Sequence, residues 1–189
     1  MYLIKARGEH VLKLIKNYFL GKLLEARLFF IRKHTAITDF FDQIKSVKKI
    51  LIIMPIKKKD NRLAQKFMPQ IRKIFDSAKI STLHIKSLRK TDTNWLGIPN
   101  SAFLNKISEE KFDLIIDLNS YHDRLCTYLS ALTESKMRVH LTEGKFDKIY
   151  NLQFRTNSDD TTITRYNNML NYLSIMRDKK IEPVEEFVS

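Results

Sequence analysis

The chain has 189 residues, of which 43% are hydrophobic and 29% are charged, a composition typical of soluble globular proteins. This length is enough for one domain with a buried core and short for two domains. The single cysteine, Cys126, excludes an internal disulfide and a cysteine-rich zinc site. Charges interrupt the apolar stretches, so we expect neither a signal peptide nor a span of roughly 20 apolar residues through a membrane. The sequence predicts a cytoplasmic protein, with peripheral attachment to a membrane as the alternative.

Positive charge is concentrated in the first half of the chain. The net charge is +13 and the pI is about 9.8. Residues 1–90 contain 22 Lys and Arg against 6 Asp and Glu, whereas residues 91–189 contain 12 against 15. A basic surface attracts polyanions. We therefore expect residues 1–90 to engage a polyanion, an anionic membrane surface or a protein partner, with nucleic acid among the candidate polyanions.

The first predicted element is a long basic helix over residues 8–33, within a helical segment that we assign to residues 1–45. Apolar residues recur at spacings of three and four, as at Leu12, Ile15 and Phe19, and lysines interrupt the stripe. Three roles are consistent with this pattern. The helix can pack on the domain, lie on an anionic membrane, or join two copies of the chain as a homo-oligomer.

From residue 46 onward, strand patterns alternate with helix patterns. The predicted elements, in chain order, are strand 48–54, helix 61–75, strand 79–85, loop 95–99, helix 101–107, strand 112–119, helix 123–134, strands 137–141 and 149–154, and a helix that starts at Asp160 or Thr161. This last helix is predicted to bury Ile175 or Met176. Helices between strands imply βαβ crossovers. We therefore predict an α/β fold, a single Rossmann-like domain at 46–180 with a mainly parallel sheet covered by helices, followed by an acidic tail at 181–189.

The first candidate site follows the strand 48–54, where Lys57, Lys58, Lys59 and Asp60 stand in succession. Open α/β sheets bind ligands beyond the carboxyl ends of their strands, near the point where the strand order reverses. The lysines are predicted to bind an anionic ligand. At the start of a helix, Asp60 can cap free N–H groups; alternatively, it is the catalytic residue, a general base that deprotonates an acceptor hydroxyl.

The second candidate site lies at the end of the FDLIID segment of the predicted strand 112–119 and just past it. It consists of the polar residues Asp117, Asn119, Ser120, His122, Asp123 and Arg124. From this set we predict Asp117, Asn119, His122 and Arg124 as ligand-binding residues, because such groups hydrogen-bond sugars and phosphates. The alternative is local turn and cap chemistry, for which Asn, Ser and Asp are favoured at strand–helix junctions.

Several other kinds of site are excluded by pattern. Neither strong strand is followed by a glycine-rich phosphate loop, so we predict no dinucleotide or other cofactor. The five histidines are dispersed without ligand spacing, so no metal site is predicted. Cys126 lies among apolar residues of a predicted helix, which favours a buried core thiol over a nucleophile.

Three segments carry a resemblance to a known family. LIIMPIKKKDNRLAQKFMPQIRKIFDSAKI resembles the first strand, loop and helix of the heptosyltransferase-like glycosyltransferases (glycosyltransferase family 9, GT-B fold). FDLIIDLNSYHDRLCTYLSALTESKMRV resembles their next signature, and TRYNNMLNYLSIMRDKKI resembles the helix that closes their N-terminal domain. The likeness covers about residues 48–181. WLGIP followed by FDLIIDLN also looks like a family of short uncharacterised bacterial proteins that resemble a stand-alone version of this half.

The resemblance implies a role for Asp60. Members of the glycosyltransferase family place a Gly-Asp pair after the first strand, and this Asp is their proposed base. Asp60 falls at that position, but Lys59 replaces the glycine. These enzymes bind the nucleotide-sugar donor in a second domain, which the resemblance does not include.

Three hypotheses for function follow. The leading one is a non-catalytic binding or accessory protein with a glycosyltransferase-like fold and a basic binding surface. The second is a glycosyltransferase half that a partner or a dimer completes, with Asp60 as base. The third is an RNA- or ribosome-associated protein.

Overall fold

The computed structural model describes residues 2–30, 40–144, 149–155, 157 and 159–179. The predicted acidic tail at 181–189 lies outside these ranges. The helices and strands are α1 (Tyr2–Phe30), α2 (Phe40–Lys45), β1 (Lys49–Ile53), α3 (Lys58–Ile74), β2 (Lys79–Leu83), α4 (Ser101–Glu109), β3 (Leu114–Asp117), α5 (Arg124–Leu132), β4 (Met137–His140), β5 (Leu152–Gln153) and α6 (Thr162–Met176). None of the described helices is both long enough and apolar enough to cross a membrane.

The five strands form one sheet in which every pair is parallel. The strand order is β2-β1-β3-β4-β5. Ile53 at the end of β1 is level with Leu83 of β2 on one side and with Asp117 of β3 on the other. This sheet, with helices on both faces, confirms the predicted α/β fold with a single Rossmann-like domain. The two strongest aliphatic strands, β1 and β3, are neighbours in this sheet.

Alternate residues of the central strands point to opposite faces of the sheet, as the pleat requires. Ile50 and Ile52 of β1 lie on the face that α3 and α6 cover, which we call the α3/α6 face. Leu51 and Ile53 lie on the other face, which we call the α5 face because Cys126 of α5 packs there. Both faces of the central strands are therefore buried. This explains why β1 and β3 are almost continuously apolar in sequence.

The helix α1 packs on the α5 face through the second half of its length. Leu24 and Leu28 are buried in one apolar cluster with Tyr128 of α5 and with Tyr150. Arg27 of α1 adds a hydrogen bond from its Nη1 to the Tyr128 hydroxyl at 3.0 Å. The second half of α1 therefore shares a buried core with α5, which covers this face of the sheet.

A glycine in the middle of α1 lies beside the guanidinium of Arg124. The Nη1 of Arg124 lies where it would be only 2.9 Å from a Cβ at Gly21. The same guanidinium donates from Nη2 to Glu25 Oε1 of α1 at 2.5 Å. Glycine within a helix has a conformational cost. At this glycine, α1 and the start of α5 approach each other closely.

The element boundaries largely match the sequence pattern. Thr161, one of the two predicted start residues, caps α6 by accepting the Thr164 N–H at 3.2 Å. Met176 is buried, whereas Ile175 is 58% exposed, which decides between the two predicted core positions. The short helix α2 lies within the helical segment assigned to residues 1–45 but was not predicted as a separate helix, and β5 contains two residues where a longer strand was expected.

Packing of α1 is testable by a pair of substitutions on the same helix. Leu24→Ala should lower the free energy of unfolding by about 2–5 kcal/mol, because it removes a fully buried leucine side chain. Ile15→Ala should change it by less than about 0.5 kcal/mol, because Ile15 is 48% exposed. Urea unfolding followed by circular dichroism measures both values. Equal effects of the two substitutions would contradict the packing of α1 on α5.

Candidate functional site

The candidate site is the crevice beyond the ends of β1 and β3, which we call the switch-point crevice. The chain leaves β1 toward α3, on one face of the sheet, and leaves β3 toward α5, on the other. The strand order therefore reverses between β1 and β3. Open α/β sheets bind ligands at such a reversal. The parallel pairing of β1 and β3 brings the residues that follow both strands to one edge of the sheet.

Hydrogen bonds tie the loops around this crevice together. The backbone N–H of Ile56, after β1, donates to Asn119 Oδ1, after β3, at 3.1 Å. Asn61 Nδ2 donates to the carbonyl of Pro55 at 3.2 Å and lies 3.3 Å from His84 Nδ1, after β2. The ends of three adjacent strands are thereby held in fixed relative positions, which pre-organises this edge of the sheet.

Asp60 lies in the first turn of α3 and is 9% exposed. Its carboxylate accepts a hydrogen bond from the Ser120 hydroxyl at 2.8 Å. The N-cap residue of α3 is Lys57, and its side chain makes no capping hydrogen bond. Asp60 is therefore in the first turn of α3 without being its N-cap residue, and its carboxylate is directed across the crevice to the loop after β3.

Ser120 also connects the crevice to α6. Its carbonyl accepts a hydrogen bond from Arg165 Nη1 at 3.2 Å. Arg165 and Ser120 are 45 residues apart in sequence, and Ser120 and Asp60 are 60 apart. Sequence reasoning missed Arg165, because no local spacing relates it to either loop.

The three lysines at 57–59 form the basic part of the site. All three side chains are exposed at the start of α3. Lys57 Nζ lies 4.4 Å from the centroid of the Tyr121 ring, a cation–π distance. Positive side chains and the positive end of the α3 dipole therefore lie together at this edge of the sheet.

Two open grooves flank the first turns of α3, and Lys58 and Arg62 line both of them. The His84 groove, of about 450 Å³, is lined by Pro55, Ile56, Lys58, Asn61, Arg62, Gln65, His84, Ile85 and Lys86. The Thr161 groove, of about 910 Å³, is lined by Lys58, Lys59, Asp60, Arg62, Leu63, Lys66, Asp160, Thr161, Thr162 and Ile163. Both volumes lie in the range of small-molecule sites.

Asp117 and Asn119 are fully buried under α5 rather than facing the grooves. The Tyr150 hydroxyl donates to Asp117 Oδ2 at 2.7 Å, and Asn119 Nδ2 donates to Asp117 Oδ1 at 2.7 Å. Burial raises the pKa of the Tyr150 hydroxyl well above its usual value, so it remains a donor. This departs from the predicted ligand-binding role of both residues. They position the loop after β3 because the pleat directs Asp117 to the α5 face.

His122 and Arg124 also lie on the α5 side. His122 stacks on His140 with ring centroids 4.0 Å apart, and its ring occupies the space that a Cβ at Gly144 would need. Arg124 pairs with Glu25 of α1. Within the described ranges, no three His, Cys, Asp or Glu side chains are grouped so as to hold a metal ion. Of the predicted residues, the structure therefore brings Asp60 and the three lysines together at α3 and turns His122 and Arg124 toward other partners.

Comparison with known proteins places the chain in a family. A model for a family of unknown function, DUF6913, matches residues 16–176. The chain belongs to this family. The DUF6913 match includes both sides of the switch-point crevice and the α1 residues that pack on α5. No curated protein and no solved structure matches the chain.

The buried network is testable with a pair of tyrosine substitutions. Tyr150→Phe should lower the free energy of unfolding by about 1–3 kcal/mol, because it removes a donor from a buried carboxylate. Tyr172→Phe serves as the control, since Tyr172 is 57% exposed, and should have an effect below about 0.5 kcal/mol. Urea denaturation gives both values. No difference between the two variants would show that the hydroxyl of Tyr150 does not stabilise Asp117.

Proposed function

We propose that this chain is a non-catalytic binding protein that holds an anionic, phosphate-bearing ligand at the start of α3. The observation that carries the proposal is the position of Lys57, Lys58 and Lys59. They project at the carboxyl edge of the sheet, at the strand-order reversal where α/β folds bind ligands. Anionic ligands are favoured there twice, by the lysine ammonium groups and by the helix dipole.

The geometry of the grooves supports a small or extended anionic ligand. Lys58 and Arg62 stand between the His84 groove and the Thr161 groove, so one ligand in either groove can reach both cations. Lys86 adds a third cation on the His84 side. Guanidinium and ammonium groups together suit phosphate oxygens, since arginine binds them in a bidentate manner and lysine acts as a point charge.

The internal hydrogen bonds favour binding over chemistry. Asp117 and Asn119 use their polar atoms within the protein. Of the acidic groups that we predicted at this edge, Asp60 is the one that reaches the crevice, and Ser120 already donates to it. The two grooves are lined by more cations than carboxylate or imidazole groups: Lys58, Lys59, Arg62, Lys66 and Lys86 against Asp60, Asp160 and His84.

Two variants that each remove three positive charges, one at the carboxyl end of the sheet and one at the amino end, test the proposal. The site variant is Lys57→Gln/Lys58→Gln/Lys59→Gln. The control variant is Lys48→Gln/Lys73→Gln/Lys79→Gln, which removes three exposed lysines near the amino ends of β1 and β2. Binding of a fluorescent polyphosphate, followed by anisotropy, should weaken roughly tenfold or more in the site variant and much less in the control. Binding should also weaken as salt is added. Equal losses in the two variants would show a diffuse charge effect and no site at α3.

A glycosyltransferase half is the second candidate, and the Asp60 carboxylate is the observation that favours it. This carboxylate is nearly buried, lies at the switch-point crevice and accepts a hydrogen bond from the hydroxyl of Ser120. In this alternative a sugar hydroxyl takes the place of Ser120, and a partner chain or a second copy supplies the donor site.

Asp60→Asn separates the two candidates. In the binding proposal, this isosteric change should preserve polyphosphate binding or strengthen it, since it removes a negative charge beside the lysines. In the glycosyltransferase alternative, sugar transfer from a nucleotide-sugar by the protein purified with its native partners should be lost. Absence of transfer by the unsubstituted complex would remove the second candidate.

A further inference from the structure

The helix α1 has a second apolar stripe, on the side opposite to the one that packs on α5. Ile15 precedes Leu24 by nine residues, about two and a half turns, so the two side chains lie on opposite sides of the helix. Tyr18 and Phe19 follow Ile15 at the helical spacings of three and four. Ile15, Tyr18, Phe19 and Phe30 are 48%, 63%, 62% and 81% exposed. We call these four residues the outer face of α1.

Basic residues accompany the aromatic residues of this face. Lys16 and Lys22 are exposed on the same part of the helix. Glu25 is the single acidic residue in the sequence between positions 15 and 30, and it is paired with Arg124 and Lys22. The outer face therefore combines aromatic and aliphatic groups with the positive charge of Lys16 and with Lys22, which Glu25 partly offsets.

We propose that the outer face of α1 docks on an anionic membrane surface. Tyrosine and phenylalanine partition to the level of the lipid headgroups, and lysines at the margin meet anionic phosphates. A second copy of the chain fits less well, because each copy carries a net charge of +13 and would bring Lys22 against the same basic face. Charge complementarity thus favours an anionic lipid surface as the occupant.

An exposed tryptophan lies on the same side of the sheet. Trp95 is 79% exposed. Its neighbours Leu96 and Ile98 belong to the apolar cluster that contains Leu24 and Leu28 of α1. The loop that carries Trp95 is thereby attached to the α1 side of the molecule.

Vesicle flotation tests this docking surface on the full chain. The protein should float with phosphatidylcholine vesicles that contain phosphatidylglycerol, and should stay unbound with pure phosphatidylcholine. Tyr18→Ser/Phe19→Ser should weaken binding roughly tenfold or more, because burial of one aromatic side chain is worth at least about one factor of ten. The control Tyr172→Ser/Ile175→Ser removes two side chains of α6 that are 57% and 58% exposed, and it should bind like the unsubstituted protein.

A fluorescence measurement identifies the face that meets the lipid and does not depend on loss of binding. Trp95 is the only tryptophan in the chain, so Trp95→Phe provides a background without indole emission. In that background, the indole from Tyr18→Trp should shift to shorter wavelengths and be quenched by brominated lipid in anionic vesicles. The indole from Tyr172→Trp should do neither.

Three results would overturn the proposal. The first is an equal loss of vesicle binding in the α1 and α6 serine variants. The second is emission from Tyr18→Trp that anionic vesicles leave unchanged. The third is a dimer, detected by sedimentation, that Tyr18→Ser/Phe19→Ser dissociates while the unsubstituted protein does not bind vesicles. A second copy of the chain would then cover the outer face of α1. Because α1 and α3 are tested with separate variants, failure here leaves the proposed anion site at Lys57–Lys59 standing, and the reverse also holds.

Discussion

β1 and β3 pair in parallel at the centre of the sheet, and their register sets Ile53 opposite Asp117. Both strands are covered on both faces, so their pairing in this register depends on the burial of aliphatic side chains above and below them. A shift of this register by one residue would exchange the two faces of each strand. The meeting of the loops at one edge, through Ile56 and Asn119, depends on the same register. The candidate site is therefore a consequence of core packing.

A chain of contacts links α1 to that edge. Leu24 of α1 shares an apolar cluster with Tyr150, and the Tyr150 hydroxyl donates to Asp117. Asp117 in turn accepts from Asn119, which accepts the Ile56 N–H. A buried carboxylate is costly unless donors surround it, so Tyr150 and Asn119 are needed in place. The helix that presents the outer face is thus physically connected to the loop that precedes the lysines.

The two proposed surfaces use charge in different ways. At the start of α3, lysines and a helix dipole act on a ligand beside grooves of limited volume. On α1, lysines accompany exposed aromatic side chains on a convex helix, an arrangement suited to an extended surface. A fold of this class hosts many functions. Asp117 and Asn119 direct their polar groups into the protein rather than toward that edge.

The sequence by itself determined the class of fold and most of its elements. Aliphatic runs predicted β1 and β3, and the alternation of strand and helix patterns predicted the parallel sheet, because these signals are local in the chain. Only the tertiary structure decided which polar residues reach the crevice. Asp117 ends one buried strand and Asp60 follows another, yet the pleat and the covering helix α5 bury the first, while the start of α3 directs the second to Ser120. Arg165 and Gly21 lie against residues that are 45 and more than 100 positions away in the sequence. Such pairings depend on the three-dimensional arrangement of whole elements, which local periodicity does not specify.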